Sequence, residues 1–217
     1  MRVYRFEPLE GAVPGFVPGQ AVFLHLLDDA GLTMEKRPYS VASAPGAPYI
    51  ELCIKMVHGK LTGRLESLGP GAIVGIEGPM GHFTYKGERK AAFIGGGTGM
   101  APFMSMLRHI ADSKAAGDFV LFYSAKDLES TLYREEIERL ERSNPGIKVV
   151  ITLTKESPEG WKGENGRIDE AMIRRHINDP AAFDWWICGP GEMVKAMKAC
   201  LAAAGADMKR LHMEAWG

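Results

Sequence analysis

From residue 91 onward, short apolar runs alternate with stretches whose apolar residues recur every three to four positions. The runs Ala91–Ile94, Phe119–Tyr123, Lys148–Leu153, Asp184–Cys188 and Arg210–Met213 predict strands. The stretches 100–113, 129–142, 169–177 and 191–204 predict helices; in the first, Phe103, Met106, Leu107 and Ile110 mark one buried face. Asn144-Pro145-Gly146 and Gly205 supply helix stops. Such alternation predicts an α/β domain with a five-stranded parallel sheet and right-handed crossovers. Upstream the pattern is different. Gln20–Leu27, Tyr49–Val57 and Ala72–Gly78 are β-like runs, separated by turn signals such as Pro18-Gly19, Ala44-Pro45-Gly46 and Gly69-Pro70-Gly71. They predict a small antiparallel β-barrel, interrupted by one helix near Lys60–Leu68. The polar run Lys86–Lys90 divides the chain into two expected domains, 1–88 and 89–217.

Bulk composition narrows the class of function. With 46% hydrophobic and 24% charged residues, 217 residues can bury a core without staples. A net charge of −1 gives no reason to expect nucleic acid or an anionic membrane as a partner. The three cysteines, Cys53, Cys188 and Cys200, are far apart and form neither a metal-binding pattern nor a disulfide framework. That usage and the lack of a signal-peptide core or a span-length apolar run predict a cytoplasmic, soluble protein with no metal site.

The candidate chemistry centres on Gly95-Gly96-Gly97-Thr98-Gly99, between a predicted strand and a predicted helix. Glycines let backbone approach a ligand, and the first N–H groups of a helix attract an anion, so this turn is expected to hold a phosphate. It departs from G-x-G-x-x-G, whose third glycine would fall on Met100. In the β half, Arg37-Pro38-Tyr39-Ser40 offers a phosphate clamp, a stacking face and a hydroxyl, or else is an ordinary strand end. Gly59-Lys60-Leu61-Thr62 opens that half's helix, either as a second anion site or as a plain N-cap. Cys188-Gly189-Pro190 follows the fourth strand of the α/β half, where parallel sheets place ligands; a buried structural cysteine is the alternative. Trp216, near the end of the sequence, is expected to cover something flat.

These stations, in this order, resemble the ferredoxin–NADP⁺ reductase family, flavoproteins with an FAD-binding barrel and a nicotinamide-binding α/β domain. The R-x-Y-S, G-G-G-T-G-x-A-P and C-G-P motifs carry the resemblance, which covers nearly the whole chain. It implies that Arg37 pairs with the FAD pyrophosphate, that Tyr39 stacks on the flavin and that Ser40 hydrogen-bonds near the flavin N5. Pro38 and Lys55 join the same FAD-binding set. Gly59-Lys60-Leu61-Thr62 would be a second pyrophosphate contact, through backbone N–H groups and the Thr62 hydroxyl. Gly95, Gly96, Gly97, Thr98 and Gly99 would hold the nicotinamide dinucleotide. Cys188, with Gly189 and Pro190 beside it, would face the nicotinamide. Glu214 would match the family's late acidic residue, and Trp216 its terminal aromatic. Ser40, Cys188, Glu214 and Trp216 are thus the expected catalytic group.

Two departures stand out. The barrel's first strand is expected to be short or missing, and Trp216, followed by Gly217, replaces the commoner tyrosine. The absence of a C-x₄-C-x₂-C run excludes a fused [2Fe–2S] domain within these residues. The implied reaction passes a hydride from NADPH or NADH to FAD, then single electrons to ferredoxin, flavodoxin or another redox protein; a subunit of a larger oxidoreductase or oxygenase complex is the alternative. For the nucleotide, Ser124 and Lys126 follow the second strand and Thr154 and Lys155 the third. The latter pair aligns with a 2′-phosphate site and tilts the expectation to NADPH, while Pro158-Glu159-Gly160-Trp161 resembles NADH-using relatives.

Overall fold

The computed structural model describes residues 1–155 and 157–216; Glu156 and Gly217 lie outside the described residues. The N-terminal half comprises β1 (Arg2–Phe6), β2 (Ala21–Leu27), β3 (Thr33–Ser40), β4 (Ile50–Ile54), α1 (Lys60–Ser67) and β5 (Gly75–Met80). The C-terminal half runs β6 (Lys90–Gly96), α2 (Met100–Asp112), β7 (Asp118–Ala125), α3 (Arg134–Ser143), β8 (Ile147–Leu153), β9 (Glu164–Asn165), α4 (Glu170–His176), β10 (Asp184–Gly189), α5 (Gly191–Ala203) and β11 (Leu211–Ala215).

The N-terminal strands are antiparallel, in two sheets, β1-β4 and β3-β2-β5. An isolated bridge between Val41 and Leu52 joins them, so they form one curled surface around Leu24, Val41, Leu52, Ile54 and Leu61. Among the described residues β1 pairs only with β4 and β5 only with β2, so the barrel is open between β1 and β5. A first strand, β1, is present with five residues, so the opening does not come from a missing strand. The sequence reading did not foresee β1, whose Arg2, Val3 and Arg5 are exposed, or the full extent of β3.

Among the described residues the C-terminal sheet has six parallel strands in the order β11-β10-β6-β7-β8-β9, one more than the five expected. The addition, β9, is a two-residue edge strand, too short to leave a periodic signal. Helix α3 starts at Arg134 rather than 129, because side chains hold the preceding segment in a turn. The Ser130 N–H donates to Asp127 Oδ1 at 2.9 Å and the Leu132 N–H to the Tyr123 hydroxyl at 2.7 Å. Tyr133 then adopts a left-handed φ of 58°.

Apolar residues fill both faces of this sheet, as buried parallel strands require. Adjacent Trp185 and Trp186 on β10 point to opposite faces and are both fully buried. The Trp186 face also packs Ala42, Cys53, Phe83 and Tyr85 from the N-terminal half, so one core runs across the domain junction.

Candidate active site

At the C-terminal edge of the parallel strands, strand pairing brings distant motifs together. Cys188 lies opposite Gly95 on one side and Glu214 on the other. Gly96 lies opposite Ser124. The Trp216 N–H donates to the Gly189 carbonyl at 3.1 Å, holding the residue after β11 against the C-G-P turn. In parallel sheets this edge is where ligands collect.

The glycines of the turn have separate reasons. Gly95 and Gly96 are the last residues of β6; a Cβ on Gly95 would press on Met100 and Phe103, and one on Gly96 on Met193. A Cβ on Gly99 would collide with the carbonyl of Cys188 and lie 2.8 Å from the Gly189 nitrogen. Gly99 is thus required by the backbone beside it, while Gly95 and Gly96 face side chains, of which Met193 has room to shift. Gly97 is different: its φ is +57°, and a Cβ there would meet nothing within 4 Å. Above Gly97, a left-handed residue at the entry to a thirteen-residue helix, there is open space.

Cys188 is fully buried, and burial and then the nearby Glu214 carboxylate push its thiol well above the ordinary range, opposed by Trp216. Burial of this kind disfavours the thiolate. Glu214 is half-buried, its Oε2 is enclosed without a hydrogen-bond partner, and burial raises its pKa. An orphaned acidic oxygen beside Cys188 is what a site shaped for a further polar group would leave.

On the barrel side Ser40 is buried and pairs with Ala21, while Tyr39 lies half-buried against the barrel core. Burial raises the Tyr39 hydroxyl, and Arg37 draws it back down. Arg37 is 62% exposed, with one edge on Glu35 at 2.6 Å. Helix α1 does begin at Lys60, but the Thr62 hydroxyl turns inward, accepting from the Gly59 N–H at 3.1 Å. It closes the helix cap, so what α1 presents outward is its first-turn N–H groups. Lys55, just past β4, and Lys60 are exposed.

Beyond Ser124, the loops after β7 and β8 are stitched together: Thr154 donates through its N–H and hydroxyl to Ala125 O, and the Lys155 N–H donates to Lys126 O. Lys126 and Lys155 thus sit side by side, both exposed. The Asp127 carboxylate is held below its usual range, first by the Ser130 N–H and hydroxyl and then by the two lysines. Trp161 is half-buried and donates to Glu164 O at 3.0 Å, anchoring the loop that leads to β9.

Two groups at the junction of the halves went unnoticed in the sequence. Arg108 on α2 donates from Nη1 to Glu51 Oε1 and to Ala42 O, each at 2.7 Å, and from Nε and Nη2 to Glu136 at 2.7 and 2.8 Å. Glu51 on β4 is 1% exposed and also accepts from Arg5 at 2.7 Å. Burial pushes Glu51 up, but hydrogen bonds from Arg5 and then Arg108 outweigh it and hold it below its usual range. The one legible signal was a lone carboxylate inside the apolar run Ile50-Glu51-Leu52-Cys53-Ile54. A cavity of about 840 Å³ lies between β1 and β5, with Arg5 on its wall and the glycine turn, Cys188 and Arg37–Ser40 outside it. Among the described residues no cluster of His, Cys, Asp and Glu could hold a metal, and no helix is long and apolar enough to cross a membrane.

Residues 1–85 match the oxidoreductase FAD-binding domain family, and residues 93–199 match the oxidoreductase NAD-binding domain family. The chain belongs to the ferredoxin–NADP⁺ reductase family of two-domain FAD- and NAD(P)-binding oxidoreductases. It is 33% identical to ferredoxin–NADP reductase B of Sorangium cellulosum, over 99% of this chain and 91% of that one. It is 31% identical to the glycine betaine monooxygenase reductase subunit of Chromohalobacter salexigens, over 93% of this chain but only 56% of that one. Its fold superimposes on the flavohem-like FAD/NAD-binding domain of nitric oxide dioxygenase from Vibrio cholerae with a TM-score of 0.85, at 22% identity, covering 99% and 92% of the two chains. A ferredoxin NADP⁺ reductase from Neisseria gonorrhoeae with bound FAD and NADP gives 0.79, at 20% identity, covering 98% and 91%.

Proposed function

We propose that this chain is a reductase that accepts hydride from NAD(P)H and delivers electrons singly to a redox protein such as ferredoxin or flavodoxin, in the cytoplasm. The observation that carries this reading is the convergence of Gly95–Gly99, Cys188-Gly189-Pro190, Glu214 and Trp216 on one sheet edge. Bound FAD would supply the change from a two-electron donor to one-electron steps. In this reading residues 1–88 hold the flavin and 89–217 the nucleotide. Arg37, Pro38, Tyr39, Lys55 and the α1 entry at Gly59–Thr62 bind FAD, with Ser40 beside its reactive edge. Gly97, Thr98 and the α2 N-terminus bind the nucleotide pyrophosphate. Cys188 packs beneath the nicotinamide site, Glu214 holds a proton there, and Trp216 covers the flavin until the nucleotide arrives.

Two adjacent exposed lysines beside an already engaged Asp127 suit a 2′-phosphate better than a ribose hydroxyl, so we favour NADPH. In Lys155→Ala, kcat/KM for NADPH should fall about tenfold while that for NADH holds. An unchanged ratio rejects the assignment. The reductase reading itself is tested by the absorption spectrum of the purified protein, followed by anaerobic titration with NADPH and NADH. A colourless protein that takes up no FAD defeats it.

A second reading, the reductase component of an oxygenase system, is favoured by the Chromohalobacter relative, of whose length this chain spans 56%. Co-elution with an oxygenase component from native extract would support it over a free-standing ferredoxin or flavodoxin reductase.

A further inference from the structure

We propose that Arg108 is a positioning residue for hydride transfer: through Glu51 and the Ala42 carbonyl it fixes the nucleotide-binding helix to the flavin-binding strand end. The inference rests on the reductase reading above.

The link is short at both ends. Ala42 lies two residues beyond Ser40, on the segment that leaves β3. Arg108 lies on α2, whose N-terminus is the Gly97–Gly99 turn; at 1.5 Å per residue the two are roughly 12 Å apart along a rigid rod. One guanidinium therefore clasps the Ala42 carbonyl and Glu51 at 2.7 Å with one nitrogen, and clamps Glu136 of α3 with its other edge. Glu51 belongs to the same unit as the strand end. The Ala42 N–H donates to the Glu51 carbonyl at 2.8 Å, and the Glu51 N–H donates to Ser43 Oγ at 3.1 Å. Tyr133, at the entry to α3, places its ring 5.3 Å from the guanidinium.

Stability alone is a poor reason for this arrangement. A buried ion pair contributes little net stability compared with apolar groups of the same volume, because desolvation offsets the attraction. What a two-edged guanidinium does supply is direction, since its planar N–H groups accept only one relative placement of their partners. Reaction between two bound rings is steep in distance, and a misplacement of about 1 Å costs on the order of a hundredfold. A rigid tether between the two ring-bearing elements meets that need.

The test compares wild type with Arg108→Met, the double variant Glu51→Gln/Arg108→Met, and Arg108→Lys. Three quantities are read: the Tm of the flavin-free protein, the dissociation constant of NADP⁺ or NAD⁺ by calorimetry, and the rate of flavin bleaching in anaerobic stopped flow. The reductant is whichever of NADPH and NADH bleaches wild type faster. Arg108→Met should lower Tm, because it removes Glu51's interdomain partner. The double variant should regain most of that loss. Its nucleotide dissociation constant should stay within about threefold of wild type, while bleaching stays slower by on the order of tenfold or more. Arg108→Lys, which keeps the charge but loses the two-edged geometry, should also bleach more slowly at unchanged affinity. A wild-type bleaching rate in the stabilised double variant or in Arg108→Lys overturns the proposal, as does a rate loss fully accounted for by weaker nucleotide binding. A wild type that takes up no flavin, or that neither nucleotide bleaches, overturns the reductase reading and this inference with it, before any variant is compared.

Discussion

Gly97 and Gly99 stand two residues apart in one turn and are glycine for different reasons. Gly99 is needed because the Cys188 backbone occupies the place of its side chain; Gly97 is needed for a left-handed backbone under open space. Gly99→Ala should therefore destabilise the fold by about 1–3 kcal/mol through overpacking, seen as a lowered Tm in flavin-free protein. Gly97→Ala should cost only about 1 kcal/mol of stability, yet weaken nucleotide binding clearly, because its methyl would enter the space where we propose the phosphate binds. Equal loss of affinity at equal loss of Tm in both would remove the distinction. Glu214 makes a prediction in pH. Burial raises its folded pKa above the unfolded value, so its contribution to stability is fully present below the unfolded pKa and is lost as pH rises through the folded one. Glu214→Gln, always neutral, should match wild type in acid and become the more stable protein as pH rises through that window. Melting curves taken from acid upward should show the two Tm profiles coinciding at low pH and diverging as pH rises.

At the scale of elements, α1 is the most exposed to a single change. Its cap depends on the Thr62 hydroxyl receiving the Gly59 N–H, and Thr62 is itself buried. Thr62→Val keeps the shape but strands that donor, so the flavin-free protein should lose about 1 kcal/mol and the holoprotein should release FAD faster on dilution. Flavin fluorescence against time reads the second effect. The elements were legible in the sequence where burial imposed a pattern. β6, β7, β8 and β10 are near-continuous apolar runs, and their predicted ends fall within two residues of those observed. β1 and β3 left little signal because most of their exposed positions are polar or charged and only a few of their residues, Tyr4, Phe6, Tyr39 and Ser40, turn toward the core. The site was legible as separate motifs, through glycine, proline and aromatic residues of restricted use. Its tether was not. Arg108 and Glu51 are 57 residues apart, and neither position shows in sequence that the other neutralises it.

At the scale of the whole molecule, the two halves differ in how their backbones are satisfied. The parallel sheet is covered on both faces, whereas β1 and β5 each leave one edge without a partner strand among the described residues. Between those edges lies the cavity of about 840 Å³, lined by Phe6, Val13, Phe16, Ile76 and Pro79. Amide protons of Arg2–Phe6 and Gly75–Met80 should therefore exchange faster than those of Asp118–Ala125, by local opening that leaves the six-stranded sheet intact. Uniform protection across all three segments in a native-state exchange experiment would contradict this. The open seam also sets how long the protein stays competent. A ligand that binds the closed barrel stabilises it by mass action. Without such a ligand the open seam is the weaker part of the fold, so storage life should lengthen as the concentration of free FAD rises. A preparation washed clean of excess cofactor would then age from its N-terminal half, while the nucleotide-binding half still looked native.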